Sequence, residues 1–406
     1  MRTRTWCVAG ALVCLAAPVT GQTVLSEADA LARLSTDSPR VRAIRASGEI
    51  VRADVAAAGR WPNPRVTYNR ESVAAVTENM FLVTQPLPVS GRRGLDIEAA
   101  VARADAQDRR NDDAIRQARS ELRLAYAELA AAQVRESELT TARTHLDELV
   151  QILGSRERAG DAAGYDFLRA QRELTEIETD LAATRDARVR AQGALGAFFA
   201  NPADVAMLVV APPESGNRSP LPTVEELVAT ARTVRGDGLA LQRDAEAAQL
   251  AARAADRRGI PEPEIVAGTK SSNFGLGDVG TVFSVHVPIP LFDHGQPERA
   301  LAAARATQAE AELTAFNTAL GARIASLRAL VIERRNAADR YRAASASSAE
   351  LERIAQVSYE AGERGILELL DAYRGGAAAR AKQVLLDVET REAEIELEFV
   401  SGWEVR

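Results

Sequence analysis

The sequence contains one string that is typical of a cofactor site. Residues 275–280 read Gly-Leu-Gly-Asp-Val-Gly, which fits the G-x-G-x-x-G pattern of dinucleotide-binding loops. In those loops a helix begins directly after the glycines, because its N-terminal N–H groups hold the phosphates. Here residues 283–287 alternate apolar and polar side chains and end before Pro288, which indicates a strand. We therefore interpret the string as the tip of a β-hairpin and predict no cofactor.

Residues that ligate metals or act as nucleophiles are scarce. The three histidines are His145, His286 and His294, and no two of them are spaced to share a metal on one helix face. Both cysteines, Cys7 and Cys14, lie in an N-terminal segment that we expect to be removed, which leaves no thiol in the mature chain. No G-x-S-x-G motif occurs. The sequence therefore predicts no catalytic residue and no metal centre, and it argues against an enzyme.

The first 21 residues have the features of a secretory signal. Arg2 and Arg4 precede an apolar run over residues 6–19, and small residues end the segment at Gly21. The run is 14 residues long, whereas a membrane-spanning helix needs roughly 20. We expect the mature chain to begin near Gln22 and the protein to be exported.

The charge and hydropathy restrict the possible partners. The formal net charge is −7, and removal of Arg2 and Arg4 makes it −9. An acidic chain without a basic tract is a poor partner for nucleic acid. Beyond the signal we find no apolar run as long as a transmembrane helix, so membrane insertion would have to use β-strands. Val13, directly before Cys14, is not the small residue that lipoprotein signals carry, which disfavours a lipid anchor.

The chain contains an internal duplication. Residues 86–88 (Pro-Leu-Pro) recur as 288–290 (Pro-Ile-Pro), and 159–161 (Ala-Gly-Asp) recur as 361–363 (Ala-Gly-Glu), both after 202 residues. The identical offset indicates that the length between the two motifs is under structural control. We predict a first repeat over 22–220, with a β-hairpin at about 62–88 and a long helical hairpin at about 91–200. We predict a second repeat over 221–406, with a β-hairpin at about 261–290 and a long helical hairpin at about 295–402.

Each repeat contains a long helical segment. Residues 91–158 include no proline and are rich in Ala, Arg, Glu and Leu, which are good helix formers. A spacing of seven, as in a coiled-coil seam, relates Ala118, Ala125, Ala132, Leu139, Leu146 and Leu153, and in the second repeat Leu313, Leu320 and Leu327. A helix of about 65 residues would be roughly 100 Å long. A curved channel wall, a solvated rod and a spectrin-like bundle would all explain such helices.

The predicted hairpins separate these alternatives. Period-two alternation with one apolar and one polar face suits a half-buried soluble sheet or a barrel wall between lipid and water. Each repeat contributes two strands, so one chain has four, whereas membrane barrels need at least eight. Three chains would supply twelve strands and close a barrel without free edges. Six of the 18 aromatic residues lie in or beside these segments: Trp61, Tyr68, Phe81, Phe274, Phe283 and Phe292.

With this organisation the sequence resembles the TolC family of outer-membrane efflux channels over essentially the whole mature chain. Residues 85–94 (Gln-Pro-Leu-Pro-Val-Ser-Gly-Arg-Arg-Gly) and 287–296 (Val-Pro-Ile-Pro-Leu-Phe-Asp-His-Gly-Gln) are similar to the strand-to-helix transitions of that family. Within it they resemble the components that serve heavy-metal cation (Czc-type) RND pumps. The resemblance implies a mainly α chain with a membrane β-barrel portion, which forms a homotrimer with a 12-stranded barrel and a helical periplasmic barrel.

The resemblance also implies a function. The channel would lie in the outer membrane, in contact with lipid, and conduct passively what an inner-membrane RND pump exports through a periplasmic adaptor, the membrane fusion protein. Metal cations are the expected cargo. Drugs or other organic compounds, and secreted proteins, remain alternative cargoes of the same channel type.

Several residues match functional positions of that family. The helix tips with Gly160, Asp161, Gly362 and Glu363 match the tips that contact the adaptor. Glycine suits a turn between antiparallel helices because such turns often need a positive φ.

A second group matches the closed periplasmic entrance. Glu368 and Asp371 lie three residues apart, hence on one helix face, and would form two acidic rings in a trimer. Asp166, Arg364 and Tyr359 match positions that hold the entrance shut, with an Arg364 to Asp166 contact as the expected latch. The alternative is that these are ordinary exposed helix charges.

Two other non-enzyme classes fit the sequence less well than the channel. A periplasmic coiled-coil adaptor would carry one helical hairpin inside flanking β-rich domains, and not two equal helical units with a β-hairpin each. A helical scaffold would have no use for proline-bounded amphipathic strands. The sequence therefore favours the channel.

Overall fold

The computed structural model describes residues 24–160, 164–199, 208–211, 219–273 and 278–403. Within them the chain forms helices and one four-stranded sheet, in two rounds of the same order. The first round consists of α1 (Glu27–Asp37), α2 (Pro39–Ala58), β1 (Arg65–Val73), β2 (Val76–Pro86), α3 (Arg92–Arg158) and α4 (Gly164–Gly196). The second consists of α5 (Val224–Val234), α6 (Gly236–Asp256), β3 (Glu264–Ser272), β4 (Val279–His286), α7 (Gln296–Ser345), α8 (Ser348–Glu360) and α9 (Ile366–Ser401). The expected mainly α fold built from a duplicated unit is confirmed, whereas the predicted signal at 1–21 lies outside the described residues.

The long helices begin at matching points of the two rounds. Gly91, with φ 73°, directly precedes α3, and Gly295, with φ 76°, directly precedes α7. A left-handed residue at this point turns the chain from the strand into the helix, which favours glycine. Helix α3 has 67 residues, which makes it about 100 Å long. Of the predicted seam in α3, Leu139 is partly buried, and the buried members are Ala118, Ala125, Ala132, Leu146 and Leu153.

The helices form a wall that is one helix thick. Near the sheet α2, α3, α6 and α7 lie side by side, and near the opposite end α4, α3, α9 and α8 do. The buried apolar side chains fall into separate clusters along this wall and not into one core. The chain exposes 25078 Å², whereas a compact protein of 43.5 kDa would expose about 15,000 Å². Much of the surface of the chain is therefore free to contact other molecules.

In the described chain, one helical stretch contradicts the expectation that no apolar run long enough to span a membrane follows the signal. Residues Gln296–Glu360, which comprise α7 and α8, contain an 18-residue window with a mean hydropathy of 1.2 and at most two charged residues. By length and composition this window could cross a membrane, so the expectation that no such run follows the signal was wrong. The window combines alanine and leucine with few charges, and 22% of it is buried within the chain. In the structure α7 packs against α5, α6 and α9.

Candidate functional site

The sheet has the strand order β1-β2-β3-β4 and is antiparallel throughout. Its register aligns Tyr68 with Phe81 on β2 and Phe81 with Thr269 on β3. Because successive side chains of a strand point to opposite faces, this register assigns every residue of the sheet to one of two faces.

Most of the exposed large apolar side chains lie on one face of the sheet, and most of the charge lies on the other face, which also holds Val73, Val76, Met80, Leu82, Val266 and Val282. The exposed large apolar side chains on the first face are Val66, Tyr68, Phe81, Val83, Val279, Phe283 and Val285. Except for Arg70, the charged residues of the strands lie on the second face, with His286: Arg65, Glu71, Glu78, Glu264 and Lys270. Ion pairs across strands join Arg65 to Glu264 at 2.6 Å and Lys270 to Glu78 at 2.7 Å. This is the arrangement of a barrel wall with lipid outside and water inside.

The two outer strands are free edges within one chain. In the described residues β1 pairs with β2 alone and β4 with β3 alone. These edges are 9 and 8 residues long, and their unpaired N–H and C=O groups can template further strands. Four strands are too few for a membrane barrel, so the sheet is incomplete as a barrel until other strands join it.

The tip of the first β-hairpin has strained backbone that the sequence did not reveal. Ala74 and Ala75 have φ of 51° and 67°, although alanine rarely adopts positive φ. Asn273, which follows β3, holds this turn: its side-chain N–H donates to the Ala75 carbonyl at 3.2 Å, and its side-chain oxygen accepts from the Thr77 N–H at 2.5 Å. A two-residue turn usually shows Asn-Gly or Asp-Gly, and an Ala-Ala pair carries no such signal. The predicted tip of the second hairpin at 275–277 lies outside the described residues.

At the opposite end of the wall lie the tips of two helical hairpins. We call α3 with α4 the first hairpin, and α7, α8 and α9 the second hairpin. Gly160 follows the end of α3 and has a φ of 90°, and Gly362 follows the end of α8 and has a φ of 72°. A turn that ends a helix often requires such a positive φ. The Glu363 N–H donates to the Ser358 carbonyl at 2.9 Å, which closes the last turn of α8. Asp161, the fourth residue predicted at the tips, lies outside the described residues.

The structure brings together some of the predicted entrance residues. Glu368 and Asp371 are both exposed in the first two turns of α9. Burial in the apolar cluster at the tips raises the pKa of Tyr359, and the carboxylate of Asp166 raises this pKa further. Asp166 in α4 therefore lies near Tyr359 in α8. No ion pair within the described part of one chain joins Arg364 to Asp166, so the predicted latch is not made inside a subunit.

An ion-pair network that sequence reasoning missed ties α9 to both helices of the first hairpin. Arg374 donates two hydrogen bonds to the carboxylate of Glu173 in α4, one of them at 2.8 Å, and Glu173 is buried. Farther along α9, Arg380 pairs with Glu352 of α8 at 2.7 Å and with Glu138 of α3 at 2.8 Å. Glu173 and Arg374 are 201 residues apart, one less than the repeat offset. The repeat offset aligns Glu173 with Gly375, so the duplication does not mark this pair.

The second hairpin also contains a helix break and, inside α9, a pair of adjacent glycines near its tip. Helix α7 ends at Ser345 and α8 begins at Ser348. In α9, Gly375 and Gly376 are adjacent, and a Cβ atom at Gly376 would overlap the carboxylate of Glu352, whereas one at Gly375 would meet nothing within 4 Å. The missing side chain at Gly376 therefore lets Glu352 pass across α9 to Arg380.

Comparison with known proteins gives two kinds of match. No protein-family model matches the sequence. The nickel-cobalt-cadmium resistance protein NccC of Alcaligenes xylosoxydans xylosoxydans is 26% identical over 288 residues, which make up 66% of this chain and 61% of NccC. The match therefore spans less than two thirds of that relative.

Solved structures match over nearly the whole chain. A membrane protein from Pseudomonas aeruginosa superposes with a TM-score of 0.79 at 19% identity, and the match covers 93% of this chain and 92% of that one. The outer membrane channel CmeC of Campylobacter jejuni superposes with a TM-score of 0.77 at 12% identity, covering 93% and 85%. At these identities the likeness establishes the fold. The chain has the fold of the TolC family of outer-membrane channels, which confirms the resemblance carried by its sequence.

Proposed function

We propose that this chain is the outer-membrane channel of a tripartite efflux system. The observation that carries the proposal is the joining, in one chain, of an incomplete amphipathic sheet to a helical wall about 100 Å long. The sheet offers an apolar face to lipid, and the wall is long enough to reach far into the periplasm. In this role the chain conducts passively, because an inner-membrane pump supplies the energy.

The oligomer that this role requires is a homotrimer. In an antiparallel barrel β4 of one copy would pair with β1 of the next, and the alternation of strand direction would continue around the ring. Three copies give twelve strands, which falls within the range of membrane barrels. The same assembly would place twelve helices side by side at each level of the wall. The large surface exposed by one subunit, 25078 Å², supports such an assembly.

The name of one relative supports a proposal for the cargo. NccC is named for resistance to nickel, cobalt and cadmium, which supports metal cations as the exported substrate. The proposed partners are an RND-type inner-membrane pump and a periplasmic adaptor. The adaptor would contact the helix tips at Gly160, Asp161, Gly362 and Glu363.

The proposed periplasmic entrance lies at the same end. Glu368 and Asp371 of three subunits would form two acidic rings that favour cations. Tyr359 and Asp166 already lie close together within one subunit. Arg364 would complete the closed state by pairing with Asp166 of the neighbouring subunit, because it makes no such pair in its own chain.

Fractionation and electrophysiology test this function. The protein should be found in the outer membrane, run as a trimer in mild detergent, and form ion-conducting channels in planar bilayers. A soluble periplasmic monomer that forms no channels would refute the proposal. For the cargo, deletion of the gene should sensitise cells to nickel, cobalt or cadmium more than to organic toxins, and the reverse pattern would contradict metal export.

A further inference from the structure

We infer that two copies of this chain join through β4 of one and β1 of the next in a single register, which sets Ser284 opposite Asn69 of the next copy. This inference rests on the proposed function, because it specifies the contact that closes the proposed trimer. The register can be derived because the duplication places an equivalent contact inside each chain, where β2 of the first repeat pairs with β3 of the second.

Fixed offsets relate the strands of the two repeats. From β1 to β3 the offset is 199 residues, as from Pro64 to Pro263, and from β2 to β4 it is 202 residues, as from Pro86 to Pro288. We call two residues that are related in this way counterparts.

The two β-hairpins agree with these offsets. In the β-hairpin of the first repeat Arg65 lies opposite Thr84. The counterparts of these residues are Glu264 and His286, and they lie opposite each other in the β-hairpin of the second repeat. The offsets therefore carry a residue pair correctly from one repeat to the other.

The contact between β2 and β3 then predicts the contact between copies. Within one chain Leu82 of β2 lies opposite Gly268 of β3. Their counterparts are Ser284 of β4 and Asn69 of β1. Within one chain three strand spacings of about 4.8 Å each separate β1 from β4, so these two counterparts can meet only between copies.

The derived register keeps each face of the sheet continuous from one copy to the next. It sets Val285 opposite Tyr68 of the next copy, and both side chains belong to the first face. It sets His286 opposite Thr67, and both belong to the second face. A shift by one residue would bring opposite faces together. The offsets contain no information about faces, so this agreement supports the register independently.

A backbone hydrogen bond beyond the strands fits the same register. The Leu87 N–H donates to the Pro263 carbonyl at 2.9 Å, which continues the ladder between β2 and β3. The counterparts are Ile289, which is 74% exposed, and Pro64, so the Ile289 N–H would donate to the Pro64 carbonyl of the next copy. Because hydrogen-bonded and non-hydrogen-bonded pairs alternate along an antiparallel ladder, Ser284 would then form a non-hydrogen-bonded pair.

The register also gives a partner to Arg70. Among the residues of the described strands Arg70 is the one charged residue on the first face, and no hydrogen bond or ion pair joins it to another described residue. Its counterpart Thr269 lies opposite Phe81, so Arg70 would lie opposite Phe283 of a neighbouring copy. Phe283 is 70% exposed. A guanidinium is attracted to the face of an aromatic ring, which accounts for a cation on this face.

Disulfide cross-linking in isolated outer membranes tests the register, since both cysteines of the chain lie in the predicted signal. S284C/N69C should form a covalent trimer on oxidation, because Cα atoms of a non-hydrogen-bonded pair lie about 4.5 Å apart, within the disulfide range of about 4.4–6.8 Å. S284C/T67C and S284C/E71C keep the same face but displace the partner to about 7–8 Å, and they should form roughly tenfold less covalent trimer. Non-reducing electrophoresis measures the yields.

Conductance of the reduced variants in planar bilayers shows that they fold and assemble. If S284C/N69C does not conduct, H286C/T67C reports the same register one pair further along the second face. The single variants N69C and S284C should form no covalent trimer.

Three results would overturn the register. They are a higher yield from a displaced pair than from S284C/N69C, equal yields from all three pairs, and no cross-link from any pair in variants that conduct. Each of these would refute the register and leave the channel intact. A wild type that forms no channel would instead refute the proposed function.

Heating of the trimer in mild detergent tests the contact between Arg70 and Phe283. R70Q and F283L should each lower the dissociation temperature, and R70Q/F283L should lower it no further than the larger single change, because both substitutions remove one contact. K270Q breaks an ion pair with Glu78 on the second face, and its effect should add fully to that of F283L. Full addition in R70Q/F283L would refute the contact.

Discussion

The first and second hairpins derive from one duplicated unit, yet they differ near their tips. In the first hairpin α3 and α4 each run without interruption, over 67 and 33 residues. In the second hairpin α7 gives way to α8 at Ala346 and Ser347, and α9 contains Gly375 and Gly376 about three turns from its start. One unit has thus produced a continuous hairpin and a segmented one.

Serine residues at the break explain part of this difference. In α3, Thr140 and Thr144 each donate to the carbonyl four residues earlier, at 2.7 and 3.0 Å, and the helix continues. Ser345, which the repeat offset aligns with Arg143, donates to a carbonyl three residues earlier at 3.4 Å, and α7 ends there. Serine competes with the helix for backbone groups, and further serines follow at 347 and 348.

The difference indicates which part of the wall can move. The first hairpin is a continuous support. The tip of the second hairpin is attached to it through the Arg374 and Arg380 ion pairs and has a helix break at Ala346 and Ser347. We therefore expect the second hairpin to carry any motion that opens the periplasmic end.

The largest effect should come from breaking the attachment with Arg374→Gln. This change leaves the buried Glu173 carboxylate without its guanidinium, and since Arg374 is 55% exposed we expect a cost of about 1–2 kcal/mol. Amide hydrogens of α8 and the start of α9 should exchange roughly tenfold faster. Arg172→Gln, which removes an exposed pair inside α4, is the control. Equal exchange in both variants would show that the pair does not hold the tip.

Removing charged side chains at the entrance would sharpen the comparison of the two hairpins. One repeat offset before Glu368 and Asp371 lie Asp166 and Arg169, so the first hairpin has one carboxylate where the second has two. We expect Glu368→Ala with Asp371→Ala to weaken divalent cation block of channel current by about tenfold. Arg169→Ala should not weaken block, because it removes no negative charge. Unchanged block in the double variant would exclude the acidic rings.

The glycine pair in α9 gives a matched test of the contact between Glu352 and α9. Gly375→Ala should stabilise α9 by about 0.5–1 kcal/mol, because alanine has the higher helix propensity and the added Cβ meets nothing within 4 Å. Gly376→Ala should fall short of that gain by about 1 kcal/mol, because its Cβ displaces Glu352 from Arg380. Thermal unfolding of the purified trimers measures both. Equal gains would show that Glu352 does not need the space above Gly376.

The smallest effect concerns the contact between the hairpins at Tyr359. Burial raises the pKa of Tyr359, and the charge of Asp166 raises it further. As the pH increases, the phenol therefore ionises in the unfolded chain at a lower pH than in the folded state. This contribution to stability is present below the unfolded pKa, about 10, and is lost as the pH rises through the folded pKa. Asp166→Asn should lower the folded pKa of Tyr359, read as the tyrosinate absorbance that disappears in Tyr359→Phe. An unchanged titration would mean that the two groups do not interact.

The helices, strands and repeat could be predicted because local patterns specify them. The proline-free run from 91 set α3 to within one residue. The strands lie inside the segments that prolines bound, since Pro62 and Pro64 lack the N–H that a ladder needs and β1 begins at Arg65.

Features that depend on distant contacts could not be read in the same way. The Glu173 to Arg374 pair joins residues that are 201 positions apart, and neither residue stands out among the many charges of exposed helices. The Ala74-Ala75 turn depends on Asn273, which belongs to the other hairpin. The glycine at position 376 of α9 is explained only by Glu352, whose carboxylate occupies the space that a side chain at this position would need. Among the entrance residues the sequence suggested Tyr359 and Asp166, whereas the attachment of α9 emerged from the geometry alone.

A wall one helix thick has a consequence for how the cell maintains this protein. Its buried clusters are small and separate, so a lone subunit has no central core to resist unfolding. In the proposed trimer stability would depend on mass action, because binding to other copies would stabilise the folded form by an amount that grows with the logarithm of their concentration. Subunits made in excess or late would remain unassembled and be degraded by proteases. Expression level, and not sequence alone, would set how much of the folded wall survives.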